Sequence, residues 1–168
     1  CCYVGAFALS AARGGAKEVL ALDRSEPALE VARAVAADNG WAGSIRFQRA
    51  DVKRALGELQ QRGERFDLIV LDPPKLAPSV RHLEQARKAY RQWNVQALAL
   101  CAPGAILVTC SCSAAMQAQD FVRTLALAAA DARREIILFG LGQQAPDHPT
   151  PAAFDEGRYL KVAFLRVS

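Results

Sequence analysis

Two cysteines and one aspartate stand where apolar runs of this sequence end, and they are its most chemically capable side chains. Cys110 and Cys112 lie in ILVTCSCSA, residues 106–114, and Asp72 lies in LDPPK, residues 71–75. A thiol can pack in a core, bind a metal, form a disulfide or act as a nucleophile. An aspartate held before two prolines has a fixed direction and suits hydrogen bonding to a planar nitrogen base, although it can also simply end a strand.

The two cysteines differ in their neighbours. Cys110 lies inside the apolar run, where buried packing is common for cysteine. Cys112 follows that run between two serines, so packing explains it less well, and a partly exposed, electropositive setting would make it a nucleophile. The start of the next helix near Met116, Lys75 or an arginine could supply that setting. A zinc site is disfavoured because zinc takes two close pairs of ligands, and the adjacent cysteines at the chain start are a poor second pair.

Two further acids and one glycine suggest a nucleoside-like ligand. Asp23 ends an apolar run, where a carboxylate suits the hydroxyls of a ribose or, alternatively, the positive end of a helix dipole. Asp51 either receives an adenine amino group or simply begins its helix. Gly5, in YVGAF, predicts a turn in which the backbone can approach a ligand. Because only one glycine stands there, the G-x-G-x-x-G turn of dinucleotide folds is disfavoured.

The remaining polar and aromatic residues have plainer interpretations. His82 is expected on a solvated helix face. His148 is either a hydrogen bonder that fixes its loop or a site residue. Tyr90 and Trp93 fall on one helical stripe with Leu83, so we expect them in the core rather than on an RNA-binding surface.

The elements that must position these residues alternate between apolar strands and amphipathic helices. Strands are predicted at 18–23, 44–48, 66–72, 105–111, 134–140 and 158–167, and helices at 25–40, 51–63, 81–100 and 116–131. This alternation predicts an α/β fold in which helices cover both faces of a mostly parallel sheet. The last two strands have no helix between them and are expected to pair antiparallel. Ligands of such sheets bind at the carboxyl ends of the strands, where the acids and cysteines lie.

Composition sets the outer limits. The chain has 168 residues, 52% hydrophobic and 23% charged, enough for one domain with a sizeable core. No apolar run approaches the ~20 residues of a membrane span, and no signal peptide is visible. A net charge of +4 and a pI of about 9.0 permit a polyanion partner without requiring one. The five cysteines, without a signal peptide, fit reduced thiols in a cytosol.

The order of these signals resembles a known family. YVGAF, an acid after the second strand, ADV, LDPPK, KAYRQWN, TCSCS, QAPDHP and EGRYLK follow one another along nearly the whole chain. They resemble the catalytic domain of the class I S-adenosylmethionine-dependent methyltransferases that modify carbon 5 of a cytosine in bacterial 23S ribosomal RNA. LDPPK followed by SCS is the specific part of the resemblance, whereas the acids are common to all class I methyltransferases.

The resemblance implies a Rossmann-like fold, S-adenosylmethionine as the cofactor, no metal, and an unpaired or flipped cytosine of 23S ribosomal RNA as the target. It implies that Cys112 is the nucleophile and that Asp72 contacts the ring nitrogen of the target. Asp23 would hold the ribose and Asp51 would face the adenine. The residues implied to contact the cofactor are Tyr3, Gly5, Asp23, Arg24, Asp51, Val52 and Asp72. Those implied to contact the substrate are Pro73, Pro74 and Lys75.

Members of this family also carry an N-terminal PUA-type RNA-binding domain and a linking domain. Because the chain opens on CCYVGAF without a methionine, we expect residues 1–168 to be the catalytic domain of a larger cytoplasmic protein, without its first, central strand and its RNA-binding domains. A homodimer of the full-length protein is left open.

Two other hypotheses stay open. The first is a truncated, non-catalytic remnant of the fold. The second is an amine-directed nucleic-acid methyltransferase. Lys75 weakens the second hypothesis, because enzymes that methylate exocyclic amines of adenine usually carry an aromatic residue after the prolines.

Overall fold

The computed structural model describes residues 1–154 and 157–168, and the chain divides into two compact units, Cys1–Glu58 and Leu59–Ser168. The helices are α1 (Ala6–Arg13), α2 (Glu26–Asp38), α3 (Val52–Gln61), α4 (Leu83–Leu100) and α5 (Ala118–Ala132), with a 3₁₀ turn at Val80–His82. The strands are β1 (Val19–Asp23), β2 (Ile45–Arg49), β3 (Phe66–Leu71), β4 (Cys101–Ser111), β5 (Ile136–Gly142) and β6 (Lys161–Val167). The predicted alternation of strands and helices is confirmed.

The first unit contains one parallel strand pair, β1 and β2, in which Asp23 lies opposite Arg49. Asp23 is the last residue of β1, so its carboxylate lies at the edge where ligands of parallel sheets bind. The next helix, α2, begins directly afterwards because the Ser25 Oγ accepts a hydrogen bond from the Ala28 N–H at 3.4 Å. The unit's buried apolar cluster comprises Ala8, Ala21, Ala36 and Ile45.

The second unit contains a four-stranded sheet in the order β3-β4-β6-β5. Strands β3 and β4 are parallel, with Leu71 opposite Thr109, so Asp72, which follows β3, and Cys112, which follows β4, come from neighbouring strand ends. The predicted antiparallel pairing of β5 with β6 is confirmed. In addition, β6 pairs antiparallel with β4. Strand β6 therefore lies between β4 and β5, and the sheet contains both parallel and antiparallel pairs.

Strand β4 begins earlier than its predicted start at residue 105. Helix α4 leads directly into it, and Cys101 already pairs with Phe66. The pairing is then interrupted and resumes with Leu68 opposite Ile106. Pro103 and Gly104, the latter at φ +82°, form a turn between these two stretches of pairing. It forms a bulge within the strand instead of preceding it.

Helices α4 and α5 build the core of the second unit. Tyr90 is fully buried, and its ring meets Phe121 edge-on with centroids 5.7 Å apart, an arrangement worth about 0.5–1.5 kcal/mol beyond area burial. Trp93 is half-buried against the same cluster, so the expectation that both aromatics belong to the core is confirmed. On the outside, Arg91 binds Asp131 through two hydrogen bonds of 2.5 and 2.7 Å.

Candidate active-site residues

Cys112 lies immediately after β4 ends at Ser111 and is half-buried. Its thiol donates to the backbone carbonyl of Pro73 with an Sγ–O distance of 3.9 Å. The SCS and LDPPK motifs, 39 residues apart in sequence, therefore meet within the second unit. The neighbouring parallel strands β3 and β4 bring them together, because each motif begins where its strand ends.

Asp72 is the first residue after β3 and is half-buried. Burial raises the pKa of its carboxyl group above the ordinary value. A carboxyl group in such a setting can hold a proton at higher pH than a solvated aspartate can, and can therefore donate it. Pro73 is buried, whereas Pro74 and Lys75 are exposed, so the loop turns outward to solvent after its first proline.

The setting of the Cys112 thiol differs from the sequence-based expectation. Burial raises its pKa, and the charge of Asp72 raises it further, while its own backbone N–H, Lys161 and Lys75 lower it. The expected positive charges are present, but burial and Asp72 outweigh them. The thiol is therefore protonated at neutral pH and needs an acceptor for its proton before it can attack.

Cys110 is confirmed as a packing residue. It is 3% exposed, and burial, with the negative charges of Asp72 and Cys112, raises the pKa of its thiol to about 12. Cys101 is likewise buried, and burial raises its thiol pKa to about 11. All five cysteines are free thiols. The second unit contains Cys101, Cys110 and Cys112, and of these Cys112 is the one that is partly accessible.

Ser113 is a buried residue of this site that sequence reasoning treated only as a polar neighbour of Cys112. Its Oγ accepts a hydrogen bond from the Ala77 N–H at 3.0 Å and lies 3.1 Å from the Tyr90 hydroxyl. The Ser113 side chain thus connects the Ser111–Ser113 turn, which carries Cys112, to the loop after LDPPK and to helix α4. The signal for it was weak, because a serine after a strand is usually a surface residue.

Lys161 is the second residue that sequence reasoning missed. It is the first residue of β6, is 7% exposed, and donates through Nζ to the carbonyl of Ser113 at 2.6 Å and to that of Tyr159 at 2.7 Å. Burial lowers the pKa of its ammonium group, while the Cys112 thiolate acts to raise it. A lysine that begins an otherwise apolar strand, in YLKVAF, was the available signal.

In the first unit, Asp23 is held by the backbone. Its Oδ2 accepts from the Tyr3 N–H at 2.8 Å, and its Oδ1 accepts from the Ser25 N–H at 3.0 Å. Burial alone would raise its pKa, but the hydrogen bonds from Ser25 and Tyr3 lower it below the ordinary value. The carboxylate is therefore ionised and fixed in direction, and its remaining lone pairs can accept hydrogen bonds from hydroxyl groups.

Gly5 begins α1 with φ +82°, a conformation that side chains rarely adopt. A Cβ there would lie 3.1 Å from both the Ala32 Cβ and the Phe47 ring. Glycine is therefore required for packing in this turn, whatever ligand approaches it. The preceding Tyr3 also has a positive φ of 50°, and its side chain is exposed.

Asp51 caps the start of α3, since its Oδ1 accepts from the Arg54 N–H at 3.2 Å. Its Oδ2 lies 4.0 Å from the Arg24 Nε, and both side chains are exposed. The alternative in which Asp51 begins its helix is thus present in the structure, and a role toward adenine stays a prediction. Val52 is buried, which leaves its backbone as the part that a ligand could contact.

The two histidines lie apart from these groups in sequence. His82 is exposed, as expected, and its Nδ1 lies 2.9 Å from the Ser79 hydroxyl. His148 is exposed beside Asp147, with Nδ1 3.2 Å from Oδ1. Within residues 1–154 and 157–168, no three His, Cys, Asp or Glu side chains converge as metal ligands would. No helix of the same residues is long and apolar enough to cross a membrane.

A family model described as a methyltransferase domain matches residues 2–147. Ribosomal RNA large subunit methyltransferase I of Aeromonas hydrophila is 44% identical over 166 residues, which is 98% of this chain and 42% of that protein. The chain therefore spans less than half the length of the curated relatives that it matches.

Two solved structures share the fold. SMU.776, a protein assigned as a methyltransferase and crystallised with SAH, has a TM-score of 0.83 at 20% identity and covers 98% of this chain and 43% of its own. A protein assigned as a SAM-dependent methyltransferase from Streptococcus mutans gives the same TM-score of 0.83 and identity of 20%, over 98% of this chain and 42% of its own. The predicted Rossmann-like α/β class is confirmed.

Proposed function

Because this chain belongs to the methyltransferase-domain family, we propose that it transfers the methyl group of S-adenosylmethionine to carbon 5 of a cytosine in 23S ribosomal RNA, through a covalent bond between Cys112 and the base. The observation that carries this proposal is the meeting of the Cys112 thiol with the LDPPK loop, 3.9 Å from the Pro73 carbonyl. An amine-directed methyl transfer needs no thiol, whereas carbon 5 of cytosine is too weak a nucleophile to react without one.

The covalent step begins with the proton of the Cys112 thiol. The charge of Asp72 raises the pKa of Cys112, and burial raises the pKa of Asp72, so the two groups favour sharing one proton. In the reactive form the proton has passed from sulfur to the Asp72 carboxylate. The thiolate then adds to carbon 6 of cytosine while the Asp72 acid donates to ring nitrogen 3.

This addition makes carbon 5 an enamine-like nucleophile, which splits one difficult step into easier ones. Carbon 5 takes the methyl group from the sulfonium, whose sulfur–methyl bond breaks, and the cofactor leaves as S-adenosylhomocysteine. Nitrogen 3 returns its proton, a base removes the proton from carbon 5, and the thiolate leaves carbon 6 as the double bond re-forms. The net products are methylcytosine, S-adenosylhomocysteine and one proton.

S-adenosylmethionine is the cofactor indicated by the family match and by the SAH-bound structure of the same fold. We assign Asp23 to its ribose, because an ionised carboxylate fixed by two backbone N–H groups can accept from both hydroxyls. The turn around Gly5 would bring backbone to the cofactor. The remaining contacts proposed for the cofactor are those of Tyr3, Arg24, Asp51, Val52 and Asp72.

The target base must be unpaired or flipped out of a helix, since a thiolate cannot reach carbon 6 within a stacked pair. The exposed Pro74 and Lys75 would contact the flipped nucleotide, with buried Pro73 fixing the loop. We propose that residues 1–168 act as the catalytic domain of a larger RNA-binding protein in the cytoplasm, which selects the ribosomal RNA site. A homodimer of the full-length protein is compatible with this arrangement.

The test traps the covalent intermediate. RNA that carries 5-fluorocytosine is incubated with the full-length protein and S-adenosylmethionine, because fluorine at carbon 5 cannot leave as a proton and the adduct persists. We expect a denaturation-resistant protein–RNA complex that is lost in Cys112→Ala and retained in the matched control Cys110→Ala. A complex that persists in Cys112→Ala and disappears in Cys110→Ala would overturn the assignment. Mass spectrometry of digested product RNA distinguishes carbon 5 from amine methylation.

A further inference from the structure

Lys161 is a buried ammonium group whose burial the fold alone does not explain. It begins a strand in which alternate residues, Ala163, Leu165 and Val167, are fully or almost fully buried apolar side chains. Its two hydrogen-bond acceptors are neutral backbone carbonyls, and within the part of the chain that the structure describes no carboxylate acts on its charge. Removing an ammonium group from water without an opposite charge is unfavourable, so an apolar residue would suit this position better for stability.

The contacts of Lys161 enclose Cys112 on both sides along the chain. Its backbone lies opposite Ser111 in the antiparallel pair of β4 and β6, and its Nζ donates to the Ser113 carbonyl at 2.6 Å. One residue therefore contacts both chain neighbours of Cys112. This places its positive charge at the turn that presents the thiol.

We propose that Lys161 is a positioning residue for methyl transfer, which holds the Ser111–Ser113 turn and supplies the positive charge beside which the Cys112 thiol ionises. The inference rests on the proposed function, in which Cys112 is the nucleophile. Lys161 acts through Cys112 and not on the substrate.

The charges around Cys112 agree with this role. Lys161 and Lys75 both lower the pKa of the Cys112 thiol, and Lys161 has the larger effect. Lys75 is exposed, so water and salt screen its charge, whereas the charge of Lys161 acts through the interior. In return, the thiolate raises the pKa of Lys161, which keeps the ammonium protonated when the thiolate forms. The groups that interact electrostatically with the Cys112 thiol are Asp72, Lys75, Tyr90, Cys110 and Lys161.

The test measures thiol ionisation without activity. The full-length protein is alkylated with iodoacetamide over a range of pH, and the modification of Cys112 is followed by peptide-resolved mass spectrometry. We expect Lys161→Gln, which keeps N–H donors but no charge, to move the midpoint for Cys112 upward by about one pH unit and to slow alkylation about tenfold at neutral pH. Lys161→Arg keeps the charge and should restore most of the rate.

Lys75→Met is the matched control for loss of an exposed positive charge, and it should shift the midpoint much less. Thermal unfolding of each variant shows whether the turn is intact. If Lys161→Gln folds and its Cys112 is alkylated with the same pH profile as in the wild-type protein, the proposal is overturned. If Cys112 is alkylated equally slowly in Lys161→Gln and Lys161→Arg, the charge of Lys161 has no effect, its role is steric, and the proposal is also overturned. A failed fluorocytosine trap with a shifted alkylation profile would refute the proposed function, and with it a role of Lys161 in methyl transfer, and would leave only the effect of its charge on the Cys112 thiol.

Discussion

At the scale of single residues, the proposed mechanism gives Asp72 two roles, one on the reactivity of the Cys112 thiol and one in accepting its proton. Its charge raises the pKa of Cys112, which suppresses the thiolate in the free protein. In the proposed mechanism, its own raised pKa lets it hold that proton and donate it to ring nitrogen 3. A side chain that inhibits a nucleophile and yet is needed for the reaction should therefore show opposite effects in two different measurements.

The variant Asp72→Asn separates these effects. Removal of the carboxylate charge lowers the pKa of Cys112 toward its ordinary value, so alkylation of Cys112 by iodoacetamide at neutral pH should become faster. Methyl transfer should fall by about 10²–10⁴-fold, the usual contribution of a positioned acid–base group. Asp67→Asn, at an exposed position in β3, is the matched control and should change neither rate. Loss of both rates in Asp72→Asn would contradict the shared-proton mechanism.

The sequence did not predict the burial of Ser113 or Lys161, and the physical reason is the same for both residues. Each is polar and fully or almost fully buried, and each finds its partner through a contact distant in sequence: Ser113 with Ala77, 36 residues away, and Lys161 with Ser113, 48 residues away. Burial of a polar group depends on such contacts, which local patterns do not contain. Cys112 was proposed from the sequence because its motif, in contrast, is local.

At the scale of elements, the turn before α1 depends on the absence of a side chain at Gly5. Its φ of +82° and the 3.1 Å approach of a hypothetical Cβ to Ala32 and Phe47 impose two separate constraints, one on the backbone and one on packing. Gly40, at φ +75°, has open space around its hypothetical Cβ and so carries only the first constraint. The two positions form a matched pair.

We expect Gly5→Ala to lower the free energy of unfolding of the first unit by about 2–5 kcal/mol, from left-handed backbone strain and overpacking together. Gly40→Ala should cost about 1–2 kcal/mol, from backbone strain alone. Urea unfolding followed by the fluorescence of Trp41, which packs on the same cluster, measures both. A Trp93→Phe background removes the second of the two tryptophans. Equal costs at the two glycines would show that the close approach at Gly5 relaxes easily.

The elements themselves were predictable because their signals are local. Apolar runs that end in an acid became β1 and β3, and the helix predicted at 25–40 became α2, which Ser25 caps. The start of β4 was not predictable, because Cys101 is held in the strand by its pairing with Phe66, across a bulge at the Pro-Gly turn. The position of β6 beside β4 likewise depends on long-range pairing, whereas its pairing with β5 was predicted because the sequence shows no helix pattern between the two strands.

At the scale of the whole molecule, the residues proposed to contact the cofactor lie in the first compact unit, except for Asp72, and the residues proposed for the covalent step lie in the second. Asp23 and Gly5, proposed for the cofactor, belong to Cys1–Glu58, and Cys112 and Lys161, proposed for the covalent step, belong to Leu59–Ser168. The hydrogen bonds that fix Asp23 come from Tyr3 and Ser25 of its own unit. Those that fix the Ser111–Ser113 turn come from Ala77 and Lys161 of its own unit. Each set of residues is therefore supported locally.

This division predicts a double dissociation between cofactor binding and thiol chemistry. Asp23→Asn removes the charge that accepts from the ribose hydroxyls and should weaken S-adenosylmethionine binding about 10–100-fold in calorimetry, since hydrogen bonds to charged groups contribute about 1.5–3 kcal/mol. The same variant should leave the iodoacetamide reactivity of Cys112 unchanged. Cys112→Ala should bind the cofactor as the unmodified protein does while failing to trap fluorocytosine RNA. Unaltered cofactor affinity in Asp23→Asn would contradict the ribose assignment, and an altered alkylation rate in that variant would show that the two units do not act independently.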